Sequence, residues 1–135
     1  MIRTMSHAPV FVLDQDRAKA FYTEKLGFTV SHDVKMGDFR WLTVSPPDQS
    51  DLEIILMPVK RNEMMDDESA NALRTLVEKG KLGAGAFSTK DCKKTYEELS
   101  AKGVKFKSPP TERPYGIEAI FCDDSGNWFS LTQRR

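Results

Sequence analysis

The chain reads as one pattern written twice, and this constrains its fold more than any other feature. Val10-Phe11-Val12-Leu13 is an apolar strand run closed by Asp14. Asp14 and Asp16 supply capping side chains, and Ala18, Phe21, Tyr22 and Leu26 then recur at helical spacing until Gly27. Three strand-like runs follow, over 28–34, 39–44 and 52–57, with Gly37-Asp38 and Pro46-Pro47-Asp48 as turns. The second half repeats the order. Residues 85–89 form a strand run, Asp91 caps a helix carrying Tyr96 and Leu99, and Gly103 stops it. Strands are predicted over 104–107, 118–122 and 128–132, with Pro109-Pro110 breaking the chain after the first of them. Between the halves, Asp66 or Asp67 caps a helix with the apolar stripe Ala70, Leu73, Leu76 and Val77, ended by Gly80.

A βαβββ module carries a helix on one sheet face and leaves the other open, so it cannot complete a core alone. The predicted fold is therefore α+β: two βαβββ modules whose curved mixed sheets form a cup, with the helices on the outer face. A single domain over 1–135 is expected. Module one spans about 5–58, a connector with its helix about 59–80, and module two about 81–135. A cup of this kind forms a site by geometry.

Composition narrows the class of partner. Lys+Arg and Asp+Glu are both 20, so the formal net charge is zero. A nucleic-acid binder carries a basic excess, so nucleic acid is not expected as a partner. The basic run Lys102 to Lys107 reads as a solvated strand face. The longest apolar run, Ile54-Ile55-Leu56-Met57, is far too short to span a bilayer, and no leader-like segment follows Met1. Cys92 and Cys122 fit no CxxC pattern and read as free thiols of a reducing compartment. A cytoplasmic location is expected.

The string Phe11-Val12-Leu13-Asp14, through Phe21-Tyr22 to Leu26-Gly27-Phe28, resembles the opening of vicinal oxygen chelate proteins. Asp123-Asp124-Ser125-Gly126-Asn127-Trp128-Phe129 is similar to the family's closing hairpin. The superfamily includes glyoxalase I, bleomycin-resistance proteins, fosfomycin-resistance enzymes and extradiol dioxygenases. The resemblance covers nearly the whole chain and implies the two-module fold. One fold hosts several functions here, so the activity must be argued from the site.

Enzymes of the family hold a divalent metal with a His or Gln and a Glu from each half. The metal polarises vicinal oxygens of the substrate. Carried over by position, the first ligand falls on His7, seven residues before Asp14, and the second on Glu53. The third falls on Ala84, seven residues before Asp91, and the fourth on Ser130, three after Asn127. Ala84 has no donor atom and a serine hydroxyl is a poor ligand for these metals. Glu118 is the alternative carboxylate of the second half, and His32 lies outside the motif.

The resulting expectation is a small-molecule binding protein of bleomycin-resistance type with an incomplete metal site and no cofactor. The expected ligand-contacting residues are His7, Phe11, Arg40, Trp41, Glu53, Met57, Tyr115, Glu118, Trp128 and Ser130. A divalent metal enters only if His7 and Glu53 belong to a rearranged site. In that case the alternative is a metal-dependent lyase, isomerase or dioxygenase of the glyoxalase type. A ligand-free interaction module is the third reading. Pro114-Tyr115-Gly116 reads as a turn, with a lid as the alternative. The resemblance also implies a homodimer.

Overall fold

A computed structural model describes residues 1–135. The chain divides into two compact units, Met1–Arg74 and Thr75–Arg135. In the first unit, β1 (His7–Val12), β2 (Thr29–Met36), β3 (Phe39–Ser45) and β4 (Glu53–Pro58) form one sheet in the order β1-β4-β3-β2. In the second, β5 (Gly83–Ser88), β6 (Lys105–Arg113), β7 (Gly116–Cys122) and β8 (Trp128–Arg134) repeat it as β5-β8-β7-β6. In each sheet the first strand runs parallel to the last and the remaining pairs are antiparallel. The fold is α+β, with two mixed four-stranded sheets and three helices, as expected from the repeat.

Each module's helix starts where its aspartate caps it. Asp14 accepts from the Arg17 backbone N–H at 2.9 Å and opens α1 (Gln15–Ala20). Asp91 accepts from Lys94 at 3.0 Å and opens α3 (Cys92–Ala101). Satisfying an otherwise orphaned first-turn donor in this way is worth about 1 kcal/mol per cap. α1 runs into a wider π-helical turn, Phe21–Lys25, which lets the successive Phe21 and Tyr22 both reach the core. Val10, Val12, Leu42, Val44, Ile54 and Leu56 are buried with them, all on one side of the first sheet. In the second unit, Leu99 joins Ala119, Phe121, Phe129 and Leu131 in the same arrangement. Each such large apolar side chain contributes roughly 1.5–3 kcal/mol on burial.

Alternation along every strand then leaves a second sheet face uncovered by the unit's own helix. α2 (Asp67–Glu78), capped by Asp66 onto Ser69 at 2.8 Å, contains the boundary between the units. Its Ala70 and Val77 are buried, while Leu76 of the expected stripe is exposed.

Two differences from expectation affect the sheets most. β1 begins at His7, three residues earlier than the apolar run, because strand pairing with β4 starts at His7–Glu53. β6 runs straight through Pro109-Pro110, which had been expected to break the chain. The strand lies at the sheet edge and its register shifts between Ser108 and Thr111. A proline lacks the N–H for a ladder bond, and an edge bulge is where that lack is tolerated.

Candidate functional site

The second unit carries a hollow of about 800 Å³ on its uncovered sheet face. β8 builds one wall by alternation. Phe129 and Leu131 point to the core, so Trp128, Ser130, Thr132 and Arg134 point the other way and line the hollow. Gly83, Gly85 and Ala86 of the neighbouring β5 line it too. Gly83 is required there by contact. A Cβ on it would sit 2.5 Å from Cζ2 of Trp128, so the indole lies directly on its backbone. The closing loop sets where β8 begins. Asp123 Oδ1 accepts from the backbone N–H groups of Ser125, Gly126 and Asn127 at 2.9–3.0 Å. The Asp–Gly–Asn string is thus a structural fixture that delivers Trp128.

Glu118 of β7 and Tyr115 complete the lining. Pro114 and Tyr115 form the two-residue turn between the paired Arg113 and Gly116. The turn reading of this segment therefore describes it, and Tyr115 projects from it half exposed. Its hydroxyl donates to Glu118 Oε1 at 2.8 Å, and Ser130 donates to Glu118 Oε2 at 2.5 Å. Arg113 Nε stands 3.9 Å from the same carboxylate. The Ser130 and Tyr115 hydroxyls and the Arg113 charge together hold Glu118 below the usual carboxylate range. The same carboxylate pushes the Tyr115 phenol up, so Tyr115 stays protonated and remains a donor.

The first unit gathers a different polar group on its uncovered face. His7 and Glu53 are register partners, and His7 Nε2 lies 3.4 Å from Glu53 Oε2. Glu53 Oε1 accepts from the fully buried Thr43 hydroxyl at 2.6 Å. His32 Nδ1 is 2.8 Å from the same oxygen, and an ionised carboxylate only accepts, so this nitrogen donates. The Thr43 and His32 bonds, with the two imidazoles, keep Glu53 below its ordinary range. The Trp41 ring packs 5.8 Å from that of His7. Phe11 and Met57 share this sheet face by alternation.

Sequence reasoning placed His32 outside the site, and a bulge explains why it is inside. The register shifts between Val30, opposite Val44, and His32, opposite Thr43. In an unbroken ladder His32 would face Leu42 and point to the core. The extra residue turns it to the other face.

Arg40 is the one expected contact residue that the structure sets apart. It neighbours Trp41 in the strand and therefore points to the helix side. There it bonds Asp33 at 2.8 and 3.0 Å and Asp16 at 2.6 Å. Lys19 holds the other side of Asp33 at 2.8 Å, and Arg40 and Lys19 together pull its carboxyl well below the usual range. Arg40 ties α1 to its sheet. The remaining expected residues divide by unit: His7, Phe11, Trp41, Glu53 and Met57 in the first, Tyr115, Glu118, Trp128 and Ser130 in the second. Gly83, Gly85, Ala86, Thr132 and Arg134 were missed. Only strand alternation from Trp128 pointed to Thr132 and Arg134, and nothing local marked the small residues.

The donor set does not match a four-ligand metal centre. Ala84 is the extra residue of a β5 bulge, between Gly83 opposite Trp128 and Gly85 opposite Phe129. Ser130 has a neutral hydroxyl already donated to Glu118. Pairing adds a second mismatch between the halves. Five residues before each capping aspartate, Pro9 pairs with Ile55 and Ala86 with Ser130. Ser130 thus corresponds to Ile55, and Glu53 to Trp128. No three His, Cys, Asp or Glu side chains converge so as to hold a metal ion. Cys92 and Cys122 are unpaired, and burial pushes both thiols up. No helix is long and apolar enough to cross a membrane.

The sequence profile of the Glyoxalase/Bleomycin resistance protein/Dioxygenase superfamily matches residues 4–131. The Bacillus subtilis (strain 168) protein YurT is 41% identical over 126 residues, 93% of this chain and 94% of its own. Among solved structures, UcmS2 superposes with a TM-score of 0.92 at 48% identity, covering 98% of this chain and 99% of that one. TnmS3, described as an antibiotic binding protein from Streptomyces sp. CB03234, superposes with a TM-score of 0.78 at 28% identity. That match covers 99% of this chain and 98% of TnmS3.

Proposed function

The chain belongs to the glyoxalase/bleomycin resistance protein/dioxygenase superfamily, and on that premise we propose that it binds a small aromatic molecule without transforming it. The carrying observation is the hollow of the second unit. Its volume of about 800 Å³ lies within the usual range of small-molecule pockets. An indole held against the Gly83 backbone gives it an aromatic surface for stacking. The Tyr115–Glu118–Ser130 group gives it a fixed polar end. Nothing at that end is poised to react: the carboxylate is a weak base and both hydroxyls are spent on it. The description of TnmS3 as an antibiotic binding protein supports the same reading. So does the donor set at Ala84 and Ser130, which favours binding without a metal.

The test is a fluorescence titration. Trp41→Phe leaves Trp128 as the sole tryptophan, because the chain has two. Polycyclic aromatic antibiotics should quench it stoichiometrically, equally well after dialysis against a chelator, and leave the protein unaltered. Turnover of the ligand, or binding that requires added metal, would refute the proposal.

A second reading has one observation in its favour, the meeting of His7 and His32 on Glu53. On that reading the first unit holds a metal for glyoxalase-type chemistry. It requires zinc, nickel, iron or manganese to survive dialysis and to be lost in His7→Ala. The homodimer and the cytoplasmic location belong to the proposal as well. Sedimentation equilibrium showing only monomer at micromolar concentration would remove the first, and fractionation of the source cells tests the second.

A further inference from the structure

We propose that the ligand of the second-unit hollow is an aromatic anion whose acidic group faces Arg134; this rests on the binding role argued above. The reasoning starts from which charges are already answered. Two charged side chains line the hollow, Glu118 and Arg134. Both Glu118 oxygens are occupied, one by Tyr115 and one by Ser130, and Arg113 lies 3.9 Å away. A ligand ammonium would share oxygens that already accept hydroxyl bonds and would meet the Arg113 charge. Arg134 differs from the arginines near it. Arg135 bonds Glu112 at 2.8 Å and Arg113 leans on Glu118, whereas Arg134 makes no ion pair.

Strand alternation fixes where that free guanidinium points. Arg134 lies on the same side of β8 as Trp128, Ser130 and Thr132, at the exposed end of the strand. A flat molecule resting on Trp128 therefore runs along the strand toward a planar, two-pronged donor. A guanidinium fork matches a carboxylate or sulfonate with paired bonds. Around the hollow two guanidinium groups, of Arg113 and Arg134, stand against the single carboxylate of Glu118. The local field therefore favours an anion, although the chain as a whole is neutral.

A matched pair of probes isolates the charge. 1-Anilinonaphthalene-8-sulfonate and N-phenyl-1-naphthylamine share one aromatic skeleton, and only the first carries an acidic group. Both brighten when they leave water. The sulfonate should bind about fivefold tighter than the neutral probe, the effect of one partly solvated charge pair. It should displace the neutral probe, and its advantage should shrink as salt is raised. Arg134→Gln should bring the ratio of the two dissociation constants close to one. Arg135→Gln, whose guanidinium is spent on Glu112, should preserve the ratio. Equal binding of the two probes by the native protein, or a preference that survives Arg134→Gln, would overturn the anion assignment and leave the binding role standing. Failure of both probes to bind would overturn the binding role itself.

Discussion

At the scale of single residues, the face a side chain occupies decides what it does. Arg40 and Trp41 are adjacent, yet one is a structural tie to Asp33 and Asp16 and the other packs on His7. Thr43 shows the cost of such commitments. It is fully buried and donates to Glu53, so Thr43→Val keeps the shape and leaves Glu53 Oε1 with His32 as its remaining donor. The expected loss is about 1–2 kcal/mol, read from urea denaturation, with no change in ligand affinity at the second-unit hollow. Gly83→Ala acts the other way. Its Cβ meets the Trp128 ring rather than backbone, so the ring should swing off the strand. Weaker binding of aromatic probes and a shifted Trp128 emission are expected, with only a small change in stability. Unchanged emission would show that the indole does not need the glycine.

At the scale of elements, caps and turns were legible because they depend on nearest neighbours in the chain. Asp14 and Asp91 sit where a first-turn donor needs an acceptor, and both accept one. Gly37-Asp38 joins the paired Met36 and Phe39 as expected. Bulges were not legible, and three of them shape the two sheets. The β2 bulge brings His32 to Glu53, the β5 bulge isolates Ala84, and the β6 bulge absorbs Pro109-Pro110. Whether an extra residue is absorbed depends on the partner strand, which lies far away in sequence. The β6–β7 turn offers a direct test. Gly116 has φ +147°, and a Cβ there would lie 2.1 Å from the Gln133 carbonyl oxygen. That neighbour is backbone and cannot step aside. Gly116→Ala should therefore destabilise the second unit by about 1–3 kcal/mol, visible as a lower thermal midpoint, and loosen Tyr115 with it.

At the scale of the whole molecule, the shifted carboxylates set the response to acid. Asp33, Glu53 and Glu118 are all held below their ordinary values by bonds that exist only in the folded chain. A group with a depressed folded value stabilises fully above its unfolded value, and that contribution fades as the pH falls toward the folded one. Stability should therefore be level near neutrality and fall below about pH 5. Asp33→Asn should be less stable than the native protein at pH 7 and lose less on acidification, as measured by thermal melts across the series. A native melting point that holds steady down to pH 3 would contradict the assignment. Zero net charge itself said little about the site, because it does not show which charges are paired there, as Glu118 is, and which are not, as Arg134 is not.

The sequence by itself determined the two modules, their order of elements and the side of each strand that enters the core. Capping, turns and hydrophobic period act over a few residues, and each was present in both halves. Tertiary structure alone decided which polar side chains meet. His32 reached Glu53 through a bulge, Glu118 was claimed by Tyr115 and Ser130, Arg40 was drawn to Asp33 and Asp16, and Arg134 came to line the hollow. The physical reason is the two-residue period of a strand. A shift of one residue in pairing reverses the face of everything beyond it, and pairing is set by partners that no local pattern encodes.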